Sequence, residues 1–374
     1  MNITIQFEKK TLTFQKPRSI ITCTNPALIH QSFKEIEVAL KEGFYVAGFF
    51  SYEAGYCFEE RLRKERIYDF PLVHFGVYDA PIGRQGLVKK CQRHCPGLSD
   101  LHLNIAYDDY RKNIERIRDY IQKGDVYQIT YCIKLLFRYA GDPAALYAAL
   151  LSEQPVPYPA YIESDKFSIL SFSPEMFIKK AGSRVMTKPM KGTWPRSANM
   201  AADLCGRFRF QRDTKNRAEN VMIADLLRND LGRVGLGIRA PKLFEVAKYK
   251  TLYQMTSTVT GDVDNNISAY DIFKAIFPSG SVTGAPKIRA MEIIRQIEAD
   301  ERKIYTGAIG YITPDRKMFF NIPIRTLLIK DGAGEMGIGG GIVWDSTPEG
   351  EWEEGLLKAK FVTDAPNACV EKGQ

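Results

Sequence analysis

Two glutamates far apart in the chain are the first candidates for chemistry. Glu219 lies on the apolar stripe of one predicted helix. Glu354 lies on another, on the same face as Glu351 and Lys358. Each pattern also has an explanation without function, a buried ion pair for Glu219 and a solvated Glu–Lys face for the later helix. Together, two carboxylates from two helices would make the sparse oxygen site that Mg²⁺ prefers.

Two further segments have the residue types that hold an anion. The glycine-rich run 337–341 would let successive backbone N–H groups point at one anion, although turns at strand edges look similar. Arg325 stands alone inside the apolar segment 321–326, where a carboxylate partner is more probable than solvent. That carboxylate belongs either to the protein or to a substrate.

Lys191 is the candidate nucleophile. It lies in a short proline-flanked segment, 188–196, together with Gly192 and Thr193. Beside Mg²⁺ and an arginine its pKa would fall, leaving a neutral amine able to attack an electrophile, whereas the alternative is an exposed loop lysine. All 4 histidines lie within the first 102 residues, so we do not expect histidine-dependent catalysis in these later segments.

Hydrophobic periodicity places these candidates on interspersed helices and strands. Apolar residues three or four apart predict helices over 26–41, 108–122, 213–234 and 348–360. Runs of β-branched and aromatic residues predict strands over 44–52, 126–133 and 167–172. This mixture favours an α+β architecture over alternating parallel βαβ units. A polar stretch over 85–100 divides an N-terminal accessory segment, 1–104, from a larger domain over 105–374.

Composition excludes several classes of protein. The 374 residues are 45% hydrophobic and 26% charged, which is typical of a globular protein. No apolar run suggests a signal peptide or a membrane span, and we expect a cytoplasmic location without a membrane partner. The net charge is +8, and the basic residues are mixed with acidic ones along the chain. This mixing does not favour nucleic-acid binding, whereas a modest positive excess suits a dianionic substrate.

Ordered motifs across residues 105–365 resemble the chorismate-binding enzyme family. That family includes anthranilate synthase component I, aminodeoxychorismate synthase component I, isochorismate synthase and salicylate synthase. The resemblance rests on residues 124–128, 173–175, 216–220, 225–234, 277–287, 305–311, 324–326 and 339–343. It implies that residues 105–374 form a chorismate-binding catalytic domain, and that the fold is a four-layer α/β/β/α sandwich with orthogonally packed antiparallel sheets.

The same resemblance implies roles for individual residues. Glu219 and Glu354 match the family's Mg²⁺ ligands, and Glu175 matches its general acid, which burial would keep protonated. In the family, the enolpyruvyl carboxylate of chorismate is bound at positions that correspond here to Tyr305, Arg325, Gly340 and Gly341. The positions that lie next to the ring carboxylate in the family correspond here to Gly192, Thr193 and Lys358.

Three positions favour the aminating branch of the family. Gln128 stands where isochorismate and salicylate synthases carry a water-activating lysine, and Lys191 stands where anthranilate synthases carry alanine. This pairing resembles the aminodeoxychorismate synthases, in which the lysine is thought to add at C2 of chorismate and then yield to ammonia at C4. Gln254 replaces a histidine of many relatives, and an amide cannot shuttle a proton for pyruvate elimination.

The resemblance therefore implies an enzyme that aminates chorismate with ammonia to 4-amino-4-deoxychorismate, in para-aminobenzoate and folate synthesis, with Mg²⁺ as cofactor. Since no histidine follows residue 102, we do not expect a Cys-His-Glu glutaminase within this chain. A separate glutamine amidotransferase subunit should then supply the ammonia. The alternative is anthranilate synthase component I, which differs by releasing pyruvate.

Overall fold

The computed structural model describes residues 1–8, 10–83, 97–248 and 252–363. Eight α-helices lie within these ranges: α1 (Ile29–Lys41), α2 (Tyr107–Gln122), α3 (Pro143–Glu153), α4 (Met200–Arg212), α5 (Thr214–Gly232), α6 (Ala269–Ile276), α7 (Lys287–Ile297) and α8 (Pro348–Thr363). Across these same ranges no helix is both long enough and apolar enough to cross a membrane.

Nineteen strands accompany the helices in the described ranges. They are β1 (Asn2–Phe7), β2 (Lys10–Phe14), β3 (Ser19–Cys23), β4 (Tyr45–Phe50), β5 (Val73–Tyr78), β6 (Leu98–Leu103), β7 (Gln128–Tyr139), β8 (Tyr158–Glu163), β9 (Ser168–Ser173), β10 (Met176–Ala181), β11 (Arg184–Lys188), β12 (Met190–Pro195), β13 (Gly235–Lys248), β14 (Leu252–Val263), β15 (Gly284–Ala285), β16 (Ala308–Ile312), β17 (Met318–Asn321), β18 (Thr326–Lys330) and β19 (Ala333–Ile342).

The strands form two large antiparallel sheets. The first has the order β15-β7-β19-β18-β9-β8-β1-β2, with β6 also pairing with β7. The second has the order β12-β14-β11-β10-β17-β16-β4-β5-β3, with β13 also pairing with β14. Antiparallel sheets with interspersed helices confirm the α+β prediction.

Three apolar cores separate four layers. One core lies between the sheets and includes Ile5 from β1, Phe49 from β4 and Phe319 from β17. A second joins the first sheet to α2, α3, α7 and α8, and a third joins the second sheet to α1, α5 and α6. Each large side chain buried there contributes about 1.5–3 kcal/mol. The layer order is therefore helices, sheet, sheet, helices, in agreement with the predicted four-layer sandwich.

Most local predictions agree with the observed elements, one differs, and two strands were not predicted. The predicted strand over 44–52 ends at Phe50, because Tyr52–Phe58 forms a 3₁₀ helix. No strand was predicted over residues 190–195 or at the glycine run. Residues 190–195 form strand β12, which pairs with β14. The glycine run lies inside β19, which pairs with β7. Both strands have partners distant in sequence, and local propensity carries no information about such pairing.

Residues 1–104 supply strands to both sheets, β1, β2 and β6 to the first and β3 to β5 to the second. The domain boundary near residue 104 stays a prediction, and most of the polar stretch on which it rests, residues 85–96, lies outside the described residues.

Two crossings between the sheets bring distant segments together. The chain passes from β9 in the first sheet to β10 in the second through Pro174 and Glu175, and returns from β17 to β18 through residues 322–325. The crossings bond to each other, since the Ile322 N–H donates to Glu175 O at 3.1 Å and the Ser173 hydroxyl donates to Ile322 O at 2.5 Å. This junction lies where several predicted site residues meet.

Candidate active site

The glycine run forms one wall of the site, because it lies in a half-paired part of β19. β7 pairs with β19 along its whole length, whereas β18 pairs only with its first four residues. Opposite Gly339 and Gly341, the N–H groups of Cys132 and Thr130 donate away from β19, to Glu298 and Thr283. The N–H and C=O groups of Gly339 and Gly341 therefore point to the unpaired edge of β19.

Gly340 lies between these two glycines, and its backbone groups point in the opposite direction. Its N–H and C=O point into the ladder with β7, and its Cα faces α8. A Cβ added to Gly340 would lie 2.9 Å from Glu351 Oε2 and 3.6 Å from both Glu354 Oε1 and Lys358 Nζ. Of the two glycines predicted to grip a carboxylate, Gly341 thus directs an N–H to the open edge, while Gly340 leaves room for the α8 side chains.

Lys191 reaches the opposite face of β19. A Cβ on Gly341 would lie 2.8 Å from Lys191 Nζ and would collide with the Gln128 amide. The register of β12 shifts between Met190 and Thr193, and such bulges re-aim a side chain. The bulge includes Gly192 at φ +84°, where a side chain would be strained and would also strike Asn216 of α5.

The surroundings of Lys191 favour its neutral form. Burial lowers the pKa of this lysine below its ordinary value, and the charge of Lys358 acts in the same direction. Glu219, Glu175 and Glu354 oppose the shift in pKa without cancelling it. A larger fraction of Lys191 is therefore a nucleophilic amine near neutral pH than of an exposed lysine.

Glu175 lies at the crossing between the sheets with only 3% of its surface exposed. Its Oε1 accepts a hydrogen bond from the Ser281 hydroxyl at 2.7 Å and from the Met190 N–H at 3.4 Å. Burial raises its pKa to about 7, against the opposing effects of the Ser281 hydrogen bond and the Lys191 charge. A substantial fraction of Glu175 is thus protonated near neutral pH, as a general acid requires.

Glu354 and Lys358 form an ion pair at the open edge of β19. Lys358 Nζ lies 2.6 Å from Glu354 Oε1 and donates to Gly339 O at 2.6 Å. Burial alone raises the pKa of Glu354, but the charges of Lys358, Lys191 and Lys215 outweigh it and hold the pKa below its ordinary value. Glu354 is therefore ionised at neutral pH.

Glu219 approaches from α5 and is held in place through its neighbour. The buried Asn220 accepts from the Ser257 hydroxyl and donates to Met255 O at 3.4 Å, which fixes this turn of α5 against β14. Glu219 itself makes no hydrogen bond or ion pair within the described part of the chain. Its charge nevertheless acts on the pKa of Lys191, so the carboxylate faces the same space.

Two carboxylates near Lys191 are of the chemical type that Mg²⁺ binds. Among residues 1–8, 10–83, 97–248 and 252–363, no three His, Cys, Asp or Glu side chains converge as a complete metal site. Mg²⁺ does not need one, because it is commonly held by one or two carboxylates with water and substrate oxygens. Such an ion takes oxygen donors of this kind. The Glu219 carboxylate is unpaired among the described residues, and the Glu354 carboxylate already pairs with the Lys358 ammonium.

The remaining predicted contacts differ in their readiness for a ligand. Tyr305 packs its ring on Gly337, and its hydroxyl contacts the Cys132 thiol. Arg325 is half-buried in the second crossing at φ +51°. Thr193 is exposed, and its backbone pairs with that of Gln254.

Two buried amides leave oxygens without partners. Gln128 is 1% exposed and Gln254 is 3% exposed, and neither Oε1 atom has a hydrogen-bond partner within the described residues. Buried polar atoms are normally satisfied, so each is a natural contact for a polar ligand or water.

The structure thus gathers most of the predicted residues around the open edge of β19, on both of its faces. Sequence reasoning missed the supporting residues, notably Ser281 on Glu175 and Asn216 on Gly192. Both lie inside motifs that carried the resemblance, but motif membership alone did not say which side chain each would touch.

Comparisons with known proteins agree with this geometry. A family model described as chorismate binding enzyme matches residues 3–364. Aminodeoxychorismate synthase component 1 of Escherichia coli is 36% identical over 266 residues, covering 71% of this chain and 59% of that protein. Anthranilate synthase component 1 of Aquifex aeolicus is 35% identical over 272 residues, covering 72% of this chain and 55% of that protein. Identity alone does not choose between these two names, and the chain spans just over half the length of either relative.

Solved structures share the fold over nearly the whole chain. Anthranilate synthase component I of Streptococcus pneumoniae superposes with a TM-score of 0.78 at 24% identity, covering 97% of this chain and 90% of that one. The menaquinone-specific isochorismate synthase MenF of Escherichia coli gives 0.76 at 15% identity, covering 97% and 87%.

Proposed function

Because the chain belongs to the chorismate binding enzyme family, we propose that it aminates chorismate with ammonia to give 4-amino-4-deoxychorismate and water. The observation that carries the proposal is the position of Lys191, whose Nζ lies against Gly341 beside the Gln128 amide. A partly neutral amine held there suits nucleophilic attack on a bound ring. Gln128 offers no side-chain base to activate water, which disfavours hydration as the reaction.

The proposed chemistry begins with Lys191 and Glu175. The lysine amine adds at C2 of chorismate, the two ring double bonds shift, and the C4–O bond breaks with its electron pair on oxygen. That oxygen takes the Glu175 proton and leaves as water, and the Glu175 carboxylate then takes a proton from the new ammonium on Lys191. Ammonia then adds at C4, the double bonds shift back, and the C2–N bond breaks as Glu175 returns a proton to the Lys191 nitrogen, which leaves as the free amine. The new C4 ammonium gives a proton to the Glu175 carboxylate, which restores the acid.

The substrate carboxylates have candidate partners on both sides of β19. For the enolpyruvyl carboxylate they are the Gly341 N–H, Arg325 and Tyr305. For the ring carboxylate they are Lys358 and the Gly192–Thr193 segment.

Mg²⁺ is the proposed cofactor, with Glu219 and Glu354 as its protein ligands. When bound, the ion supplies positive charge that offsets repulsion between these glutamates and the ring carboxylate. The support is the oxygen-rich donor set and the unpaired state of Glu219 among the described residues.

Ammonia is proposed to come from a separate glutamine amidotransferase subunit. Several relatives are named component 1, which implies a second component in those proteins. We place the activity in the cytoplasm, in para-aminobenzoate and folate synthesis.

One incubation tests the proposal. Purified chain, chorismate, Mg²⁺ and ammonium at a pH with abundant free NH₃ should give 4-amino-4-deoxychorismate, separated from its 2-amino isomer by chromatography and identified by mass. Release of pyruvate with anthranilate would instead identify an anthranilate synthase component I. Glutamine should replace ammonium poorly, and efficient use of glutamine by the purified chain would show that no separate subunit is required.

A further inference from the structure

Glu175 receives its hydrogen bonds on one oxygen only. Ser281 Oγ and the Met190 N–H both approach Oε1, at 2.7 and 3.4 Å. Oε2 has no hydrogen-bond partner in the described part of the chain. Oε2 is also not fully buried, so it retains some exposure to solvent. The two oxygens of this carboxyl group are therefore inequivalent.

One of the two groups at Oε1, the Met190 N–H, has a fixed direction. A backbone N–H can only donate, so the Met190 N–H requires a lone pair on Oε1. Behind Ser281, the Ser279 hydroxyl lies 2.9 Å from the Ser281 hydroxyl, and Ser279 and Ser281 are both buried. With the Ser281 hydroxyl donating to Oε1, the Ser279 hydroxyl donates to Ser281, and each bond in such a chain strengthens the next.

We propose that Ser281 is a positioning residue that makes Oε1 of Glu175 the acceptor and places the transferable proton on Oε2, facing the substrate. This inference rests on the proposed function, in which Glu175 protonates the departing 4-hydroxyl. The C4–O bond breaks with its electron pair on oxygen, that oxygen takes the proton from Oε2, and water leaves. Glu175 remains as a carboxylate, with the Ser281 and Met190 donors still directed at Oε1.

Removing Ser281 should shift the pKa of Glu175 in a definite direction. A hydrogen bond donated to a carboxylate stabilises the charged form, so its loss raises the pKa of Glu175 above about 7. In the described residues, Lys191 is the charged side chain that acts on this carboxyl, and it is unchanged in the variant. The basic limb of the rate profile should then move to higher pH while the rate itself falls, because the proton is no longer confined to Oε2.

The decisive measurement is infrared spectroscopy of the protonated Glu175 carboxyl, assigned by its absence in Glu175→Gln. In Ser281→Ala, the C=O band should move to higher frequency, and it should titrate about one pH unit higher. Ser281→Cys keeps a side chain of similar size but donates weakly, so it should move both readouts in the same direction if the alanine variant folds poorly. Ser279→Ala, which removes only the outer hydroxyl, should give the same shifts at smaller size.

Kinetics at constant free NH₃ complete the test. In Ser281→Ala, kcat should fall roughly tenfold with KM nearly unchanged, and the basic limb should move upward. An unchanged band frequency and titration in both Ser281 variants would overturn the inference, as would the absence of a protonated Glu175 band at pH 6. If the band shifts as expected but the parent chain makes no 4-amino product, the proposed function fails while the assignment of the proton stands.

Discussion

Replacing Lys191 with alanine separates covalent amination from direct attack by ammonia. The Lys191 side chain extends from the β12 bulge to the backbone of Gly341. Truncation to alanine therefore leaves an open space in place of Nζ. Alanine fits the strand conformation, and the glycine at 192, which provides the positive φ, is retained. The fold and the carboxylate sites should therefore survive the change.

The magnitude follows from protonation and position. A lysine with an ordinary pKa of about 10.4 is neutral in roughly one molecule in 2,500 at pH 7, and each unit by which the pKa falls raises that fraction about tenfold. Burial of Lys191 acts in this direction. A single positioned catalytic side chain commonly contributes about 10²–10⁴-fold, so we expect Lys191→Ala to slow 4-amino product formation by at least roughly 10²-fold.

The assay is initial rate and isomer ratio under saturating ammonium, with chorismate binding measured separately. Residual product should shift toward the 2-amino isomer, because ammonia can enter the vacated space and attack C2. Lys188→Ala is the matched control, since Lys188 lies three residues earlier and faces Glu245 at 3.6 Å instead of the glycine strand. The parent chain alone should yield a trapped adduct heavier by chorismate less water. An unchanged rate with unchanged 4-amino product would reduce Lys191 to a structural residue.

Two further predictions concern carboxylates. Glu219→Gln and Glu354→Gln should each weaken Mg²⁺ binding, measured by calorimetry with chorismate present, and slow amination at least roughly tenfold, whereas the exposed Glu353→Gln should change neither. Full activity of the parent chain in excess chelator would contradict a role for the ion. Burial raises the pKa of Glu53 from 4.5 to about 7, so the folded chain retains a proton that the unfolded chain has released, and stability falls as pH rises through this window. Glu53→Gln keeps an acceptor for the Arg302 N–H. It should raise the free energy of unfolding at pH 8 by up to about 3 kcal/mol, with little change at pH 4. Equal gains at both pH values in denaturant unfolding would refute this.

The fold was predictable where a local pattern decides the structure. The apolar spacing over 108–122 became α2 within one residue, and Asp213 caps α5 by accepting from the Asn216 N–H, as an aspartate before a helical pattern should. Strand β12 was not predictable, because its conformation depends on pairing with β14, which follows almost 60 residues later. Nothing within residues 188–196 specifies that partner.

The candidate site divides in the same way. The chemical type of Lys191, Glu175 and Glu354 and their motifs were visible in the sequence, and the structure brings all three toward one glycine strand. The alternation that turns the Gly341 N–H outward and the Gly340 N–H into the ladder was not visible, since it is set by the register of β19 against β7. Ser281 also escaped notice, because its contact with Glu175 joins residues 106 positions apart.

A single physical cause prepares both reacting groups of the proposed mechanism. Desolvation penalises charge of either sign, so the same enclosed junction raises the pKa of Glu175 and lowers the pKa of Lys191. Their uncharged forms, the acid that gives a proton and the amine that attacks, therefore coexist over a wider range of pH than in water. Each would stabilise the other's charged form if it were ionised, so the partial removal of both groups from water must outweigh their mutual attraction. The junction where the crossings meet β19 withdraws both groups from water, with Glu175 buried in the first crossing and Lys191 half-buried in the β12 bulge, which explains why neither is carried by an exposed loop.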